Sequence, residues 1–380
     1  MFKKIAENIV NNSLELKPGE KLNLIIRGES QQELGREIEN YAIEKGIFVR
    51  TIYDDPSKLN TFTDKEFNEY LQTELSVMNW CDACAIVRDA EPIKLNEIGR
   101  KRDDEFFVKV HRDVRLNKRW NLTSVPARKN CKSDEEFNEL YNTYIKACSI
   151  DYDNMSKAMD SLVARMQKAD KVRIKANGTD ITFSIKGLPP IKCIGKRNLP
   201  DGEVYTAPVR DSVNGVITYN MPSYQGGVLH NNIHFEFKDG KIVNESSDHT
   251  EVLTKILNTD EGSRYIGEFS FGVNPFITKC FNNTLYDEKI SGTIHFTPGN
   301  AYARCDNGNK SAIHWDIVQS HKEEYGGGEI WFDDELIRKD GIFIPEYLRC
   351  LNPSQLISSI SETKNNSQTK NVNLSNNKEI

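Results

Sequence analysis

"KLNLIIRGESQQELGREIENYAIEKGIFVRTIYD", residues 21–54, changes period twice within one short stretch. "KLNLIIR" is a near-continuous apolar run that suits a strand buried on both faces. "SQQELGREIENYAIEKG" follows and reads as a helix opened by a Ser30 cap. "FVRTIYD" then returns to a strand. The alternation continues downstream: "DKEFNEYLQTELSVMNW" (64–80) reads as a helix, "ACAIVRD" (83–89) and "RWNLTSV" (119–125) as strands, with a charged helix from Ile93 to Arg115 between them. Strands and helices in turn, with apolar strands, imply a parallel sheet covered on both faces. The expectation is an α/β domain over residues 1–150.

From Lys171 onward the pattern becomes polar–apolar alternation. "KVRIKAN", "TDITFSIKG", "GVITYN" and "NNIHFEFKDGKIV" are separated by Gly, Asn and Asp turns, which predicts antiparallel strands and hairpins. One helix, "DHTEVLTKILN", interrupts them. This predicts an α+β, β-rich domain over 151–351, entered by a linking helix over 151–168. Residues 352–380 are rich in Asn, Ser and Lys without an aromatic residue, and are expected to form a disordered polar tail.

The chain has 380 residues, enough for two domains with sizeable cores. A net charge of -6 and a pI near 5.8 argue against nucleic-acid binding. The opening residues carry no apolar signal-peptide core, and no stretch approaches a membrane span, so a cytoplasmic protein is expected, with no membrane partner. Of the eight cysteines, only Cys81 and Cys84 are closely spaced, and the second CxxC of a zinc ribbon is missing. Cys84 reads as core, and reduced thiols suit the cytosol.

The chemistry lies in the second half. In "SAIHWD" (311–316), read as a strand, His314 and Asp316 share one face while Ile313, Trp315 and Ile317 share the other. A carboxylate withdrawn from water needs a partner or a metal. Three further stretches behave alike. His295 in "GTIHFTPG" stands with Thr293 and Thr297, Glu268 in "RYIGEFSFG" lies opposite Phe269 and Phe271, and Glu203 follows an Asp-Gly turn in "LPDGEVYTAP". Singly, each has a dull reading as a hydrogen-bonded histidine or a solvated glutamate. Together they form an oxygen and nitrogen set that could hold two divalent ions. Competing patterns are weaker. His234–Glu236 lies on a solvated hairpin face. "HRD" at 111–113 has no glycine-rich loop before it and has Lys118 where a kinase loop needs Asn. "GGGE" at 326–329 lacks the Lys and Ser/Thr of a phosphate loop.

The ordered motifs "LPDGEVYTAP" (199–208), "DEGSRYIGEFSFG" (260–272), "GTIHFTPGNAY" (292–302) and "NKSAIHWD" (309–316) resemble those of the thermophilic metallo-aminopeptidases of the aminopeptidase T and aminopeptidase S type. The resemblance extends to about Leu351. It implies an N-terminal α/β domain, a β-rich catalytic domain, homodimers, and peptide substrates with a free N-terminus. It further implies metal ligands Glu203, Glu268, His295, His314 and Asp316, with Tyr302 acting in catalysis. Glu203 or Glu268 could serve as general base rather than ligand. A donor set without thiolate suits Zn, Co, Mn or Mg. Pro298, where relatives have other residues, should end its strand. Two rivals stay open: a non-catalytic peptide- or metal-binding protein, and a two-metal phosphoesterase using Lys196 and Arg197.

Overall fold

The structure, a computed structural model, describes residues 2–28, 31–89, 94–112 and 114–359. The chain divides into two compact units, Met1–Ser149 with Gly195–Pro200, and Ile150–Ile194 with Asp201–Ile380.

The first unit is built on a parallel sheet of β1 (Lys21–Arg27), β2 (Phe48–Tyr53), β3 (Ala83–Asp89), β4 (Arg119–Val125) and β5 (Asn198–Leu199), in the order β2-β1-β3-β4-β5. The helix expected between β1 and β2 spans Gln32–Glu44 and turns Leu34, Ile38 and Ala42 inward, one side chain per turn. Its expected cap, Ser30, lies outside the described residues. The next helix, Asp64–Trp80, begins at a capping box. Thr63 Oγ1 accepts from the Glu66 amide, and the Glu66 carboxylate accepts from the Thr63 amide. Its Leu71 and Met78 pack with Ile25, Cys84 and Ile86. Cys84 is thus a core residue.

The charged helix expected from Ile93 to Arg115 is shorter. It runs over Glu97–Phe106, started by Asn96, and widens into a π-helical turn over Phe107–Arg112. Ile93 and the side chains of His111–Asp113 lie outside the described residues.

In the second unit the helix expected over 151–168 forms at Tyr152–Met166, with Asp151 accepting from the Asn154 amide at its start. Two large antiparallel sheets follow, with a two-stranded hairpin of Ser223–Gln225 and Val228–His230 beside them. The larger has eight strands, running in space from Lys241–Ser246 through His234–Lys238, Asn214–Thr218, Thr179–Ser184, Lys171–Ala176, Gly328–Phe332 and Glu335–Lys339 to Ile342–Phe343. The smaller has five: Val318–Ser320, Thr293–Pro298, Ile266–Gly272, Glu203–Thr206 and Ile191–Cys193. Period-2 alternation sends one side of each sheet inward. Phe183 and Phe237 of the larger sheet meet Phe269 and Phe296 of the smaller, with ring centroids 5.0 Å apart for Phe183–Phe269 and Phe183–Phe296 and 6.0 Å apart for Phe237–Phe296. Phe271 meets Phe332 at 5.9 Å. These rings are the core of the unit, and the opposite face of the smaller sheet carries the polar residues.

Two corrections concern the C-terminal segments. "SAIHWD" is not a ladder strand. It runs extended beside Pro298 with a single bridge, Gly299 to His314, and regular pairing begins only at Val318. Pro298 donates no amide hydrogen and ends its strand as expected, which interrupts the ladder opposite Trp315. The polar tail expected from Asn352 opens with helical residues 353–359, where Leu356 is buried. Residues 360–380 lie outside the described residues.

Candidate metal centre

The smaller sheet aims its polar residues by register. Ser270 stands opposite His295, and Gly272 opposite Glu203. The Ile266–Gly272 and Thr293–Pro298 strands slip between Ile266 and Glu268, a bulge at Gly267, where a Cβ would meet the Gly299 and Asn300 carbonyls at 2.5 Å. The slip brings Glu268 level with Thr297 and aims its carboxylate at His295.

The resulting cluster is tight. His295 Nε2 lies 2.8 Å from Glu268 Oε1 and 3.2 Å from Glu203 Oε2. His314 Nε2 lies 3.2 Å from Asp316 Oδ1 and 3.7 Å from Glu268 Oε2. One ligand atom each from Glu203, Glu268 and His295 fall within 4.8 Å of one another, and so do those from Glu288, His295 and Asp316. The structure therefore brings Glu203, Glu268, His295, His314 and Asp316 together.

Neighbouring groups orient them. The His314 Nδ1–H donates to the Asn300 carbonyl at 2.8 Å, which turns Nε2 toward the carboxylates. Thr297 Oγ1 donates to Asp316 Oδ1 (2.7 Å), and Ser270 Oγ donates to Glu203 Oε2 (3.2 Å). Tyr302 stands at the edge, 45% exposed, its ring 4.3 Å from that of His314. No hydrogen bond to its hydroxyl is present among the described residues.

The electrostatics are those of a cation site. Burial alone would lower the His295 and His314 pKa values, but Glu203 and Glu268 hold the first up at about 9, and Asp316 and Glu268 hold the second at about 10. Burial opposes ionisation of Asp316, yet the two imidazoles keep its carboxyl well below the usual range. Burial raises the Glu268 carboxyl, with Asp316 and Glu203 adding to the rise. Such a carboxylate nest holds positive charge, and an ion that takes the imidazole nitrogens displaces their protons.

Three residues of this cluster are absent from the sequence reading: Asp201, Glu288 and Lys289. The Lys289 ammonium, 1% exposed, lies 2.6 Å from Glu203 Oε1, 2.6 Å from Glu288 Oε1 and 3.6 Å from Asp201 Oδ1. In sequence they read as a turn, "PDG", and a charged pair, "EK", which is how solvated loops also look. Glu288 and Lys289 reach the site because Gly272 has no side chain. A Cβ there would sit 2.3 Å from the Ile290 carbonyl oxygen and 3.0 Å from that of Glu288. Gly272→Ala is accordingly expected to destabilise the chain by about 1–3 kcal/mol and to push the 288–290 segment outward. An unchanged thermal melt would contradict that close packing.

The residues of the weaker patterns have partners of their own. His234 Nδ1 contacts Thr218 Oγ1, and Glu236 is exposed on its hairpin. Lys196 is held by Glu15 at 2.8 Å, and Arg197 Nη1 donates to the Lys118 carbonyl.

The donor set fits divalent metal. Glu268 Oε2 and His314 Nε2 are buried without a hydrogen-bond partner, and so is His295 Nδ1. Five acidic side chains converge here: Asp201, Glu203 and Glu288 on the Lys289 ammonium, and Glu268 and Asp316 on the two imidazoles.

Known proteins share this arrangement of sequence and fold. The chain is 30% identical to aminopeptidase AmpS of Bacillus subtilis (strain 168) over 221 residues, 51% of this chain and 52% of that protein. It thus spans about half the length of that relative. It is 26% identical to aminopeptidase PepS of Streptococcus thermophilus over 389 residues, 83% of this chain and 91% of that one. Among solved structures, wild-type AmpT from Thermus thermophilus is similar in fold, with a TM-score of 0.74 and 21% identity over 90% of this chain and 99% of that one. Residues 1–343 match the model of the thermophilic metalloprotease family (M29), and the chain belongs to that family.

Proposed function

We propose that this protein is a metal-dependent aminopeptidase that removes N-terminal residues from peptides. The observation that carries the proposal is the convergence of buried ligand atoms around Glu268 Oε2, which has no hydrogen-bond partner and lies 3.7 Å from His314 Nε2. Glu203, Glu268, His295, His314 and Asp316 would hold two divalent ions, with Zn, Co, Mn and Mg all suited to an oxygen and nitrogen donor set. Bound there, such ions supply a water acidic enough to ionise near neutral pH and a Lewis acid for the peptide carbonyl.

The protein's own groups do the rest. The Tyr302 hydroxyl, half-exposed beside His314, would donate to the oxygen of the scissile carbonyl as negative charge develops there, a role its ring contact with His314 supports. Either Glu203 or Glu268 accepts the proton of the attacking water. Glu203 has Oε1 on Lys289 and Oε2 on Ser270 and His295, whereas Glu268 Oε2 has no hydrogen bond, so Glu268 is the better placed base. The carboxylates of the cluster also suit a substrate's free α-ammonium, which is the basis for exopeptidase action. The phosphoesterase reading is weaker, since its basic residues, Lys196 and Arg197, are engaged elsewhere. The same reading takes the enzyme as a cytoplasmic homodimer. All eight cysteines are free thiols, which suits a reducing compartment.

The test is release of amino acid from matched peptides with free and acetylated N-termini, before and after chelation and on return of Zn, Co or Mn. Cleavage of the free peptide alone, lost with chelator and restored by metal, is expected. Stoichiometric metal binding without turnover would leave a peptide- or metal-binding protein instead.

A further inference from the structure

Lys289 is an unusual residue to find beside a metal centre. A buried ammonium is costly unless it is fully paired, and one placed next to catalytic ions repels them. Here it is paired with three carboxylates, and its position is set by the backbone rather than by a flexible stem alone. The Asn274 amide donates to the Lys289 carbonyl at 3.0 Å, while Asn274 Nδ2 donates to the Asp201 carbonyl at 2.7 Å. Asn274 thus ties the lysine and one of its partners to the same point.

The pocket around the ammonium has ligands of its own. Cys193 Sγ, an Asp201 oxygen and a Glu203 oxygen lie within 4.8 Å of one another, and Cys193 pairs directly with Glu203 across the sheet. A thiol and two carboxylates at that spacing are a zinc-type donor set. Two of the three already face the lysine.

We propose that Lys289 is a built-in cation, whose ammonium fills a third cation position among Cys193, Asp201, Glu203 and Glu288, limits the pocket to two divalent ions, and fixes Glu203 with Oε2 toward His295. It is a positioning residue. An ammonium supplies one fixed charge and three donors where an exchangeable ion would otherwise compete for the same carboxylates. By engaging Oε1 at 2.6 Å, it also leaves Oε2 as the Glu203 oxygen turned to Ser270 and the His295 side of the site. The proposal rests on the metallopeptidase reading above.

The test is titration of the full-length protein with Co(II) alone, following stoichiometry by native mass spectrometry and the near-ultraviolet charge-transfer absorption of a thiolate bound to Co(II). Wild type is expected to take two ions and to show no thiolate band even in excess Co(II). Lys289→Met is expected to take three, with the band, and Cys193→Ser added to that variant should abolish the band. A variant that stops at two ions or fewer without the band, while wild type binds two, overturns this inference and leaves the metallopeptidase reading intact. Wild type that binds no Co(II) sinks both. Should Lys289→Met fail to fold, wild type still decides, because a third ion with a thiolate band in its presence shows that Lys289 does not occupy that position.

Discussion

Glu268→Gln is expected to lower metal-dependent peptide hydrolysis by at least about 10³-fold, the loss typical of removing a positioned acid–base group. Glu268 is only 2% exposed and reaches both histidines, 2.8 Å from His295 and 3.7 Å from His314, so it joins the two halves of the cluster. Glutamine keeps the shape and one acceptor oxygen but removes the charge. The amide nitrogen would also bring hydrogens against an imidazole or an ion, where the carboxylate brings a lone pair. Release of amino acid from an unblocked peptide measures the effect, and metal content of the purified variant, read beside it, locates the cause. Metal content that falls with activity marks a ligand. Full content with activity lost marks the base. Activity within a few fold of wild type would remove Glu268 from the site altogether.

Phe296→Ala is expected to cost about 3–5 kcal/mol of stability. The ring is fully buried and touches Phe183 at 5.0 Å, Phe237 at 6.0 Å and Phe269 at 6.2 Å, so truncation opens a void bounded by three other rings. Those neighbours belong to two different sheets, and sheets cannot move together to close the gap without disturbing their ladders. Urea unfolding followed by tryptophan fluorescence would measure it, since Trp315 and Trp331 both lie in this unit. A loss below about 1 kcal/mol would mean that the sheets relax into the void, and that the aromatic layer is less rigid than its geometry implies. His295 lies one residue away on the same strand, so metal affinity should fall along with stability in this variant.

Much of this architecture can be read from the chain itself. The parallel sheet was legible because its strands are short apolar runs separated by helices with clear caps, as at Thr63. The hairpins were legible because Asp-Gly and Asn-rich turns punctuate an alternating pattern. His295, Glu268 and Glu203 could be found because each is an isolated polar side chain on the polar face of an otherwise apolar strand. Asp316 and His314 were found for a reason only half right. Their shared face is real, but it arises in an extended segment held beside Pro298 rather than in a strand. Lys289, Glu288 and Asp201 were not legible, because adjacent charges in a Gly-flanked loop are ordinarily solvated. What lets Glu288 and Lys289 in is the missing side chain at Gly272, more than a dozen residues away in sequence, while Asp201 is held by Asn274, and local pattern carries no record of such contacts. The polar composition from Asn352 likewise hid a helical start, which Leu356 anchors through one buried side chain.

The strand Ile266–Gly272 presents Glu268 and Ser270 to the pocket and Phe269 and Phe271 to the core. Its two faces are separated by nothing but odd and even positions. One residue inserted or deleted within it would exchange them, sending a carboxylate among phenyl rings and a phenyl ring among the ligands. Evolution can therefore trade residues along this strand far more easily than it can change its spacing, and gains or losses of length must be absorbed outside it.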